Sequence, residues 1–113
     1  MTITNTTLVL YTWGIELTDN KEELTVKDEL CKGCIHYSER KIYLDKNLSL
    51  PDLYIVMRHE LTHAVLYETQ IELKESYTEE DMCEFVGKYG KLISSKVDEI
   101  IEIIIKNFDN KTE

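Results

Sequence analysis

The residues best placed to do chemistry are His59-Glu60-Leu61-Thr62-His63. Side chains four apart on a helix lie one above the other, so His59 and His63 can turn two imidazole nitrogens toward one metal ion. Glu60 stands about a quarter turn from the first of them, within reach of a metal-bound water. On a zinc ion this set has a familiar chemistry. The metal lowers the pKa of its water and polarises a carbonyl, while Glu60, as catalytic base, takes the proton and passes it to a leaving amine.

Two histidines do not complete a zinc site, which needs a third protein ligand and an open position. His36 is the remaining histidine and sits upstream in a strand-like segment. The acidic cluster Glu79-Glu80-Asp81 opens a later helix with the apolar stripe Met82, Phe85, Val86, Tyr89 and Ile93. On a helical wheel Glu79 falls within about 60° of that stripe's centre and Glu80 about 160° away. Glu79 is therefore the expected third ligand, with Glu80 as the alternative, since first-turn geometry shifts by a residue. Tyr67, one turn beyond His63, and His36 or Tyr37 are candidate oxyanion or substrate contacts.

The elements that must position these groups follow from pattern. Residues 7 to 17 read as a strand, with Gly14 marking a bulge or bend. Residues 21 to 30 read as a short helix or an irregular connection. Cys34–Tyr37 and Lys41–Leu44 read as a hairpin, and strand 41–45 is a candidate edge for pairing with a substrate strand. A helix runs from about Leu53 to Glu68, with Ser49 or Asp52 as cap and Pro51 in its first turn. Thr78 caps the next helix, which Gly90 bends or ends. A last helix from about Ser94 to Phe108 buries Val97, Ile100, Ile101, Ile104 and Phe108, and leaves Ile103 and Ile105 for the core or a second subunit.

The chain has 113 residues and a formal net charge of -9. That length suits a single domain spanning 1–113. An acidic surface disfavours nucleic acid and anionic lipid as partners. No charged and apolar leader is visible and no apolar run approaches a membrane span, so a cytoplasmic location is expected. Cys31-Lys32-Gly33-Cys34 has the gap of a metal knuckle or redox pair, but partner ligands are missing and a strand follows it. Reduced loop cysteines are the reading adopted.

His59-Glu60-Leu61-Thr62-His63-Ala64 together with Glu79-Glu80-Asp81-Met82-Cys83-Glu84-Phe85-Val86 resembles the two motifs of the ImmA/IrrE group of gluzincin-type metallopeptidases. The likeness is to their short phage- and mobile-element relatives in Gram-positive bacteria, and covers roughly residues 31 to 90. It implies a minimal zincin-like α+β domain: a small antiparallel sheet packed on the metal helix and two further helices. It also implies a Zn2+ cofactor and a hydrolase acting on a protein or peptide substrate, with Glu79 as third ligand. The alternative is a catalytically inactive zincin-fold protein that binds a host regulator. A homodimer through the C-terminal helix is a further expectation.

Overall fold

The computed structural model describes residues 2–71 and 76–112, with side chains of the last helix described as far as Asn107. Strands β1 (Thr2–Thr7) and β2 (Thr12–Thr18) form a hairpin, where the sequence suggested one strand over 7–17. A 3-10 turn, Lys21–Leu24, leads into the short ribbon β3 (Thr25–Val26) and β4 (Glu29–Leu30). Lys27 and Asp28 link these two strands with φ of 51° and 66°, the paired left-handed residues of a type I′ turn. A second hairpin, β5 (Gly33–His36) and β6 (Lys41–Asp45), matches the expected one.

The four longer strands make one sheet in the order β1-β2-β6-β5. The two hairpins join through β2 and β6, which run parallel, with Ile15 beside Ile42 and Leu17 beside Leu44. The sheet is therefore mixed, not antiparallel, because the chain passes through the turn, ribbon and β5 before β6 returns beside β2. Strand 41–45 is consequently interior, and β5 is the edge on that side. Alternation along the strands turns Trp13, Ile15, Ile42 and Leu44, all fully buried, onto one face.

Helix α1 (Leu50–Thr69) covers β5 and β6 on that face. Ser49 caps it by accepting from the Asp52 amide at 3.4 Å, and left-handed Gln70 ends it. Its buried stripe is Leu53, Met57, Leu61, Ala64 and Val65, and two carboxylates, Glu60 and Glu68, lie on the same inward side. Glu68 explains why the chain turns at residues 8 to 11. Its carboxylate accepts from the amides of Val9 (3.4 Å), Leu10 (2.8 Å) and Tyr11, and from the indole Nε1 of Trp13 at 3.3 Å. These charge-assisted bonds tie the β1–β2 turn to the end of α1.

Helix α2 (Glu79–Thr112) is one continuous helix of 34 residues, so one further helix stands where two were expected. Gly90 does not end it: a buried face through Phe85, Ile93, Val97, Ile100, Ile101 and Ile104 continues across the glycines and outweighs their low propensity. Thr78 and Asp81 form a reciprocal capping box, with Asp81 N to Thr78 Oγ1 at 3.2 Å and Thr78 N to Asp81 Oδ2 at 2.9 Å. Met82 and Val86, expected inside, are exposed, as is Ile105. The side chain of Phe108 lies outside the described residues. The α+β class holds, with two helices and a four-stranded sheet plus a two-stranded ribbon.

Glu68→Ala should lower stability by about 2 to 3 kcal/mol, since it removes the shared acceptor of a turn. Thr78→Ala should cost about 1 kcal/mol, the usual loss of one cap. Urea denaturation midpoints of the two variants check the ranking; equal midpoints would contradict the role given to Glu68.

Candidate functional site

Between β5 and α1 lies an open, mainly apolar cleft of about 550 Å³. Its strand side is the run Cys31–Ile35 with Tyr37, and its helix side is Ile55, Val56, His59, Glu60 and His63. Val26 of the ribbon closes one end. No strand among the described residues pairs with the outer edge of β5, the strand that forms one wall of this cleft. Gly33 makes the approach of strand and helix close. A Cβ there would stand 2.6 Å from Val56 Cγ1 and 3.2 Å from Glu60 Cγ, so any side chain would force Val56 or the two elements to shift.

Glu60 is 6% exposed, and no hydrogen bond from a described residue reaches its carboxyl group. Burial raises its pKa above the ordinary carboxylate value, and the neighbouring His59 opposes that rise. His59 and His63 lie at the cleft's mouth, both exposed, with their Nε2 atoms 3.1 Å apart. Burial, and then repulsion from His59, lowers the pKa of His63. Its neutral form is favoured, which suits a bond needing one donor and one acceptor nitrogen. Cys34 is buried, and burial followed by the Glu60 charge raises its thiol pKa. All three cysteines are free: Cys31 half-buried, Cys34 buried in β5 and Cys83 exposed.

The structure thus brings together His59, Glu60, His63 and Tyr37, and leaves the other expected site residues elsewhere. Glu79 and Glu80 are exposed at the start of α2 and line no part of the cleft. The reason is the side of α1 on which α2 packs. Phe85, Gly90 and Ile93 face a groove shared with Arg58, Thr62 and Leu66, next to the histidine-bearing flank and not across from it. His36 is held away by its Nε2 contact with the Glu23 carbonyl at 3.3 Å and by packing on Tyr43, ring centroids 4.6 Å apart. Tyr67 is 47% exposed and leans on Tyr37, centroids 4.7 Å apart, in an adjoining pocket.

Among the described residues no three His, Cys, Asp or Glu side chains converge to hold a metal ion. Two imidazoles alone leave zinc short of the ligands it needs. Comparison with protein-family models, curated proteins and solved structures finds no match. These findings overturn the expected Zn2+ site of His59, His63 and Glu79, and with it the zinc endopeptidase. They also remove support for the ImmA/IrrE likeness and for an inactive zincin-fold binder of a host regulator. No described helix is long and apolar enough to cross a membrane.

Sequence reasoning read Gly33 as relieving crowding before the strand, and missed its close approach to α1 and the burial of Glu60. The first had a signal, a glycine opening a strand; the second had none, because it depends on how β5 packs against α1.

The raised pKa of Glu60 sets a pH dependence with a definite sign. Folding favours its protonated form, so that contribution is full below the ordinary carboxylate pKa and is lost as pH rises through the folded-state value. Glu60→Gln should therefore match the wild type near about pH 4 and be the more stable protein near about pH 8. Urea midpoints across that range test it, and a variant weaker than wild type at the upper end would contradict it.

Proposed function

We propose that this chain is a peptide-binding module that takes an extended segment of a protein partner along the free edge of β5. The carrying observation is one juxtaposition: a strand edge that no described strand pairs with lies beside an apolar cleft that Glu60, a largely buried residue, helps to line. A strand added to β5 gains main-chain hydrogen bonds, and its alternate side chains fall into the cleft against Ile35, Ile55 and Val56. Glu60 supplies an acceptor for an N–H that enters with the peptide. The net charge of -9 favours a partner segment that is not acidic, and disfavours nucleic acid.

Self-association through α2 has weaker support. Ile100, Ile101 and Ile104 are absorbed into the core, leaving Ile105 as the exposed residue of that run.

Selection from a displayed library of random dodecapeptides tests the reading. Peptides recovered should bind in extended form, and N-methylation of every second amide should weaken them by about fivefold per bond lost, the other amides being silent. Ile55→Asp, on an exposed cleft wall, should abolish binding without unfolding the protein. Helical ligands insensitive both to N-methylation and to Ile55→Asp would defeat the proposal.

A further inference from the structure

Beyond His63 the cleft continues into a second cavity, also of about 550 Å³, that shares Tyr37 and His63 with it. Tyr11, Tyr37 and Tyr67 line it together with Glu68 and Gln70. Tyr37 and Tyr67 are 38% and 47% exposed and lean on each other. Each meets buried Trp13 edge-on, with centroids 6.4 Å and 6.0 Å away, which fixes the orientation of the two rings. The third ring already holds a cation. The Arg40 guanidinium stacks 3.9 Å from the centroid of Tyr11.

We propose that this aromatic shelf is a subsite for a cationic side chain, arginine above lysine, carried by the peptide that pairs with β5. The proposal rests on that strand-addition reading and adds a side-chain preference to it. Three observations point to a cation rather than an apolar group. Tyr37 and Tyr67 stand partly exposed at the end of an otherwise apolar cleft, and Tyr11, which lines the same cavity, already carries a guanidinium, that of Arg40, over its ring. Glu68 lines the cavity, its carboxylate bonded to turn amides, and Glu60 in the adjoining cleft is close enough to act on the Tyr37 hydroxyl. The chain as a whole is acidic. A planar guanidinium stacks on a tyrosine face better than an ammonium does, which sets the order of preference.

The test uses the full chain and peptides recovered from the dodecapeptide library. Recovered sequences should carry Arg or Lys at one fixed distance from the apolar residues that fill the cleft. Replacing that residue with norleucine should weaken binding about three- to tenfold. The difference between the two peptides should collapse in Tyr67→Leu and persist in Tyr67→Phe, which keeps the ring. Quenching of Trp13, the single tryptophan, gives the readout. Binders without a basic position, or a preference unchanged in Tyr67→Leu, would overturn the subsite while leaving strand addition standing. A library that yields no binder would overturn both.

Discussion

The close contact between β5 and α1 is the constraint on which the site depends, and it exists because residue 33 has no side chain. A methyl group there would sit 2.6 Å from Val56 Cγ1, inside the distance at which carbon atoms can stand. With glycine, the strand settles against the helix and covers Glu60. The cleft, the perturbed carboxyl group and the exposed strand edge are three consequences of that approach. Displacing β5 would wet Glu60 and remove the reason for its raised pKa.

The helix that bears this contact is held at its far end by Glu68. Its carboxylate gathers the amides of the β1–β2 turn and the Trp13 indole, so the hairpin on one side of the sheet and the helix over the other side share one anchor. Trp13 in turn sets the Tyr37 and Tyr67 rings. Two carboxylates on the inward face of one helix thus have opposite situations. Glu68 is supplied with four donors and serves the fold, whereas no described residue donates to Glu60, which lines the cleft.

Features carried by local signals were legible in the sequence. The cap at Ser49 or Asp52, the Thr78 cap, the β5–β6 hairpin and the buried face through Val97, Ile100, Ile101 and Ile104 each depend on residues a few positions apart. What was not legible depends on long-range pairing. The parallel β2–β6 contact makes strand 41–45 interior, and nothing in its own residues distinguishes an interior strand from an edge. The wheel that placed Glu79 inward assumed that Met82 and Val86 were buried; both are exposed, and α2 packs on the neighbouring flank of α1. A motif of two histidines and a glutamate specifies a possible metal helix, but the remaining ligand has to come from the tertiary fold, and among the described residues it does not.

The central claim, that a partner strand pairs with the outer edge of β5, is tested most directly by amide hydrogen exchange. Exchange at Gly33–His36 should be followed residue by residue, with and without a saturating library-selected peptide. Every second amide of β5 should slow when the peptide is present, while those of β1, the opposite edge, should not change. Protection at β1 or along the α1–α2 groove, with β5 unaffected, would contradict the account.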